Sequence, residues 1–201
     1  MEALIFVYYW KGTWNHKGRS GGDRDAAGII LRLAEGMERV STDSRNIYGG
    51  IKMSILFING SPNKNGNTAK LAETLMSGKA YQTLNLVDYK VYGYGQNFAD
   101  DQFTEIVEQM KAADTIVIGS PVYWHNMSGM VRNLIDRFYG PVPSGALQGR
   151  KFVFLFQGAA PEGWMLEKAE YTMSRFARMY GMEYVGMASN RREAKTLSEK
   201  I

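Results

Sequence analysis

Ser54-Ile55-Leu56-Phe57-Ile58-Asn59-Gly60-Ser61-Pro62-Asn63-Lys64-Asn65-Gly66-Asn67-Thr68 passes from an unbroken apolar run into a small, polar, turn-forming loop. Four consecutive apolar positions, Ile55–Ile58, without polar alternation describe a strand covered on both faces. The apolar spacing after Thr68, with Leu71, Leu75 and Met76 on one side, describes a helix over Thr68–Lys79. Strand, tight loop and helix form one β-α unit.

The same rhythm continues to the end of the chain. Further strands are expected at Thr83–Asp88, Thr115–Ser120, Phe152–Phe156 and Glu183–Ala188, and further helices at Asp101–Ala112, Ser128–Tyr139, Glu162–Tyr180 and Arg191–Ile201. Five such units predict an α/β fold, an open parallel sheet with right-handed crossovers and helices on both faces. Ligands of such sheets bind outside the carboxyl ends of the strands, where strand order reverses. The loops after Asn59, Asp88, Ser120 and Phe156 are therefore the places to look. Gly93–Asn97 is expected to be the only long irregular connection.

Upstream, Met1–Lys52 reads differently. It opens on Leu4-Ile5-Phe6-Val7-Tyr8-Tyr9-Trp10, collapses into polar, glycine-rich sequence, and offers one amphipathic helix at Asp25–Val40. The acidic start and the short apolar stretch do not fit a secretory signal. The segment carries no chemical motif. Met53 is a second natural beginning, and Gly49-Gly50 just before it can be encoded by a bacterial ribosome-binding sequence. We expect residues 1–52 to be translated upstream sequence and residues 53–201 to be the functional domain. A genuine N-terminal extension packed on the domain is the alternative.

Composition narrows the chemistry. The 201 residues contain no cysteine and two histidines, His16 and His125. Disulfides, thiol catalysis, cysteine-ligated zinc, thiolate-held iron–sulfur clusters and multi-histidine metal sites are excluded. No eighteen-residue apolar run suits a membrane span, and a net charge of +4 makes no case for nucleic acid.

Two loops carry the candidate site. In Gly60–Thr68, the side chains of Ser61, Asn63, Asn67 and Thr68 can donate hydrogen bonds, and the start of the next helix presents unpaired N–H groups with partial positive charge. Together they make a phosphate seat; a plain capped connection with Asn67 or Thr68 as N-cap is the other reading. The spacings of a nucleotide P-loop and of a dinucleotide fingerprint are both absent. The second loop is Gly119-Ser120-Pro121-Val122-Tyr123-Trp124-His125-Asn126-Met127-Ser128-Gly129. Large aromatics at a strand mouth suit a flat conjugated ligand, although Tyr123 and Trp124 can also fill a core gap or an oligomer interface. Ser128 reads as a helix cap, and His125 as a hydrogen-bonding bystander more readily than an acid or base.

Gly60-Ser61-Pro62 with Gly66-Asn67-Thr68, followed by Ser120-Pro121-Val122-Tyr123-Trp124 and Asn126-Met127-Ser128-Gly129, resembles the flavodoxin-like NAD(P)H-dependent FMN reductase and quinone reductase family from Met53 onward. The resemblance implies a five-stranded sheet of order 2-1-3-4-5. It implies that Ser61, Asn63, Asn67 and Thr68 hold the FMN phosphate and that Pro121, Val122, Tyr123, Trp124, Asn126 and Met127 line the isoalloxazine, with Tyr123 and Trp124 as stacking walls. Gln157 and Gly158 would close the ring's other edge. It further implies a cytoplasmic homodimer or homotetramer with NADPH or NADH as co-substrate, a ping-pong cycle, a small acceptor such as a flavin, quinone, azo or nitro compound, and no side-chain nucleophile, because the flavin does the chemistry. An electron-carrier flavodoxin or a non-catalytic FMN-binding module is the alternative. Against a carrier, residues 53–201 hold 16 Lys and Arg and 14 Asp and Glu, a net of +2, where carriers usually present an acidic surface. Without cysteine the chain cannot be of the iron–sulfur branch.

Overall fold

The computed structural model describes residues 54–201; the expectations for residues 1–53 lie outside them. Among the described residues the strands are β1 (Ile55–Asn59), β2 (Gln82–Asn85), β3 (Thr115–Tyr123), β4 (Asn126–Met127), β5 (Lys151–Gln157) and β6 (Glu183–Ala188). The helices are α1 (Asn67–Leu75), α2 (Phe103–Ala112), α3 (Gly129–Arg137), α4 (Gly163–Met179) and α5 (Arg191–Ser198). The sheet runs β2-β1-β3-β5-β6, with β4 attached to β3 alone. Apart from β4 this is the parallel order 2-1-3-4-5 that the resemblance implies.

The continuous apolar runs feed two cores at once. Successive side chains of a strand point to opposite faces. Leu56, Ile58, Ile116, Ile118, Phe152, Phe154 and Phe156 join one cluster with α2, α3 and α4. Ile55, Phe57, Val117, Val153 and Leu155 join the other with α1 and α5. A strand with a polar face would leave one of these layers uncovered, which is why the sequence shows no alternation.

The elements follow the sequence with informative differences. The second strand ends at Asn85, and Leu86–Asp88 forms a 3₁₀ turn that still buries Leu86. The first helix ends at Leu75, before Gly78 at φ +75°, a left-handed angle that glycine tolerates. Gly93–Asn97 is not the only long irregular connection. Residues 138–150 are also irregular, because Pro141 and Pro143 interrupt regular pairing while Gly140, Gly145 and Gly149 sit at φ between 77° and 93°.

One largely buried ion pair fastens the connection after β2 to the helical layer. The Arg137 guanidinium bonds Asp101, also donates to the Tyr92 carbonyl at 3.2 Å, and lies 4.9 Å from the Phe103 ring centre. Burial pushes the Asp101 carboxyl up, but bonds from Arg137 and the Phe103 N–H outweigh it and hold the group below its ordinary value. A carboxyl so depressed favours folding above its unfolded pKa and ceases to do so as pH falls through the folded one. Asp101→Asn is therefore expected to cost about 1–3 kcal/mol at neutral pH and to flatten the loss of stability below about pH 4. Urea titrations from pH 7 down to pH 3 check this; parallel curves for variant and parent contradict it.

Candidate functional site

β1 ends two register positions before β3 and β5: Asn59 pairs with Gly119, while β3 and β5 continue to the pair Pro121–Gln157. The crevice this leaves lies between β1 and β3, where the strand order reverses. The loop that enters it is locked by its own side chains. Buried Asn59 donates through Nδ2 to the Asn85 side chain at 3.1 Å and accepts the Ser61 N–H at 3.1 Å. The Ser61 hydroxyl oxygen accepts the Asn63 N–H at 3.2 Å, and Asn63 Oδ1 accepts the Asn65 N–H at 3.1 Å. Each step is a short side-chain-to-backbone turn of the kind that Asn and Ser favour. The Ser61 proton and the Asn63 amide N–H groups remain free to donate outward.

Helix α1 then starts without help. Its N-cap is Gly66, no side chain caps it, and no acidic residue stands in its first turn. Asn67 and Thr68 are thus the first helical residues, and the N-cap position falls to Gly66 instead of either of them. The bare N–H groups and the positive end of the helix dipole face the loop that carries Ser61 and Asn63.

The second loop is a hairpin that the sequence did not reveal. β3 runs on to Tyr123, and β4 folds back with Val122 opposite Met127 and Tyr123 opposite Asn126. The two residues at the tip, Trp124 at φ 48° and His125 at φ 61°, both adopt left-handed backbone. Such a two-residue turn matches the twist of the strands but normally employs Asn or Gly. Held by bulky residues, it carries strain on the order of 1–3 kcal/mol per residue, of a kind concentrated at functional sites.

The tip projects its aromatics: Trp124 is 95% exposed and Tyr123 is 47% exposed. The His125 ring lies 5.7 Å from that of Trp164. Met127 is 5% exposed with its side chain in the core, so its contribution at the loop is backbone. Tyr94, from the connection after β2, meets the ring of Tyr139.

Two serines tie the loops together. Ser128 Oγ donates to the Gly60 carbonyl at 2.7 Å and accepts the Val131 N–H at 3.4 Å; its own N–H donates to Ser120 Oγ at 2.8 Å. Ser128 caps α3, as its position suggests, but its larger role is to join the two halves of the site. Gly60 is pinned as well, because a Cβ there would overlap the Val131 methyl and meet the Gly119 carbonyl. On the far side, Gly158 packs so close to Val122 that a Cβ would come within 2.9 Å of it, and Gln157 Nε2 donates to the Gly158 carbonyl at 3.1 Å. Gln157 and Asn67 share a cleft of about 270 Å³ with Lys70, Leu71, Ser189, Asn190 and Arg191.

Residues 53–191 match the NADPH-dependent FMN reductase family. The chain belongs to that family. It is 38% identical over 98 residues to an iron–sulfur flavoprotein of Archaeoglobus fulgidus, an overlap of 42% of this chain and 48% of that one. The chain spans about half the length of the curated relatives that it matches at the highest identity. With no cysteine, it has no means of holding a cysteine-bound cluster.

Among solved structures, it is similar to the Trp repressor binding protein from Bacillus subtilis, with a TM-score of 0.56 and 18% identity, covering 73% of this chain and 98% of that chain. It is also similar to an FMN-dependent NADH-azoreductase from Bacillus anthracis in complex with FMN, with a TM-score of 0.54, 16% identity and coverage of 74% and 94%. At these identities the likeness is one of fold, and the fold is flavodoxin-like. Among the described residues no helix is long and apolar enough to cross a membrane, and no group of three or more His, Cys, Asp or Glu side chains could hold a metal ion.

The serine bridge makes a direct prediction. Ser128→Ala leaves the buried Gly60 carbonyl without its donor and is expected to lower stability by about 1–3 kcal/mol. Ser128→Thr, which keeps the hydroxyl, is expected to recover part of the loss. Chemical denaturation midpoints of the three proteins check it, and equal midpoints for Ala and parent contradict it.

Proposed function

We propose that this chain is an FMN-dependent oxidoreductase that takes a hydride from NADPH or NADH and delivers electrons to a small acceptor such as a flavin, quinone, azo or nitro compound. The carrying observation is the start of α1. It has neither capping side chain nor acidic residue in its first turn, at the end of a loop already locked by Asn59, Ser61 and Asn63. That donor set fits a phosphomonoester: neutral hydrogen-bond donors, bare helical N–H groups and no competing carboxylate.

On this reading Ser61, Asn63, Asn67 and Thr68 hold the phosphate. Pro121, Val122, Tyr123, Trp124, Asn126 and the Met127 backbone border the ring on one side, and Gln157 and Gly158 close its other edge. FMN, when bound, supplies the redox chemistry, accepting a hydride and releasing electrons to an acceptor. The protein's task is placement. Exposed Tyr123 and Trp124 offer flat apolar area to which a nicotinamide or an aromatic acceptor can be brought in turn, which is the basis for a ping-pong cycle. Backbone N–H groups of residues 122–127 are the donors available to negative charge at the ring. The strained tip at Trp124 and His125 fixes where those donors and rings stand.

The net charge of +2 over residues 53–201 argues against an electron carrier. We further propose that the enzyme is a cytoplasmic homodimer or homotetramer. A cleft of about 360 Å³ between α3 and α4, lined by Ile135, Tyr139, Phe176, Met179 and Tyr180, supports self-association, as does the exposure of Tyr139, Tyr171 and Met179.

Stopped-flow mixing of the FMN-loaded protein with NADPH or NADH tests the reading. Rapid bleaching of the flavin band, followed by recolouring with a quinone, is expected; an unchanged band makes the protein a carrier or a binding module. Asn67→Ala is expected to lower FMN affinity about tenfold, and Trp124→Ala to slow acceptor turnover while FMN is retained. Equal loss of cofactor in both variants contradicts this division of labour.

A further inference from the structure

Helices α1 and α5 lie side by side on one face of the sheet, and the surface between them forms a groove of about 800 Å³. Lys70, Lys79, Arg191 and Lys195 line it, against the two carboxylates Glu73 and Glu199. None of these four cations takes part in an ion pair among the described residues, whereas Lys64, Lys90, Lys111, Arg132 and Arg137 all do. The hydroxyls of Thr74, Ser77 and Ser198 stand among them. An unpaired excess of positive charge beside hydroxyl donors suits phosphate groups, which accept several charge-assisted bonds at once.

The groove does not stand alone. Lys70 and Arg191 also line the smaller cleft that contains Asn67 and Gln157. Lys70 and Arg191 therefore stand between the two, with Gln157, at the edge of the proposed ring site, on one side and Lys195 on the other. Lys195 stands four residues, about one helical turn, beyond Arg191 on the same face of α5.

We infer that this groove holds the phosphates of the pyridine nucleotide and selects NADPH over NADH. The inference rests on the proposed function and supplies the coenzyme preference. Lys70 and Arg191, at the throat, meet the pyrophosphate that both coenzymes carry. Lys195, farther out, meets the 2′-phosphate that only NADPH carries. Glu199, one turn beyond Lys195, and Glu73 disfavour additional negative charge, so the groove discriminates through the placement of Lys195 and not through a general positive field.

Calorimetric titration with 2′,5′-ADP and with ADP reads the groove without any turnover. The parent is expected to bind 2′,5′-ADP at least tenfold more tightly than ADP. Lys195→Ala is expected to abolish that difference and Lys195→Arg to retain most of it. In steady-state assays of the FMN-loaded protein, Lys195→Ala is expected to raise the KM for NADPH about tenfold and leave the KM for NADH unchanged, while Arg191→Ala raises both. FMN content is expected to be the same in all variants. Equal binding of the two nucleotides by the parent, or an equal response of both coenzymes to Lys195→Ala, overturns the inference while leaving the flavin site intact. Failure of the parent to hold FMN overturns the proposed function instead, and the 2′,5′-ADP titration still decides the groove.

Discussion

The arrangement of the site depends on how closely the first loop is drawn against the third strand. The Gly60 N–H bonds the Gly119 carbonyl at 2.7 Å, and the Gly60 carbonyl receives the Ser128 hydroxyl at the same distance. Both glycines are required by this approach, since a Cβ on Gly60 would overlap Val131 and one on Gly119 would come within 2.7 Å of the Thr68 methyl and 2.9 Å of the Phe57 ring. From that contact the rest follows. The loop leaves β1 at a fixed angle, α1 starts where its N–H groups are open, and the hairpin beyond β3 is held beside it through Ser120 and Ser128.

The chain satisfies this contact at little cost in buried polarity. Asn59, Ser61, Ser120 and Ser128 are all buried, and each has a partner. Among the described residues, Thr115 Oγ1 is the buried side-chain polar atom without a partner. Buried polar groups that are hydrogen-bonded to the backbone around them rigidify their surroundings. Here they sit on the residues that face the crevice, so rigidity is concentrated where a ligand must be positioned. The strained Trp124–His125 tip is the counterpart, a costly conformation kept in place by the pairing of β3 with β4.

Most of the fold could be read from the sequence because both signals that define it are local. Uninterrupted apolar strands require two covering layers, and the helical periodicities between them provide those layers. Ser61 and Asn63 lie in the loop before α1, Asn67 and Thr68 are the first residues of that helix, with Thr68 buried against Gly119, and the second loop stands beside them. Less legible was anything set by backbone angles or by partners far apart in sequence. The turn Trp124–His125 lacks the Asn or Gly that announces a two-residue hairpin, so β4 gave no warning. Ser128 looked like a local cap, and only the fold brings Gly60, 68 residues away, to its hydroxyl. Met127 sits in a loop motif yet spends its side chain on the core. The groove between α1 and α5 unites cations separated by more than a hundred residues, which no spacing rule detects.

The claim beneath the account is that the open start of α1 and its locked loop grip a phosphate. Comparing the affinities of the purified protein for FMN and for riboflavin, which differ only in that group, addresses it most directly. Two or more charge-assisted bonds to the phosphate predict that FMN binds on the order of a hundredfold more tightly. Equal affinities, or a failure to bind FMN at all, would contradict the account at its root.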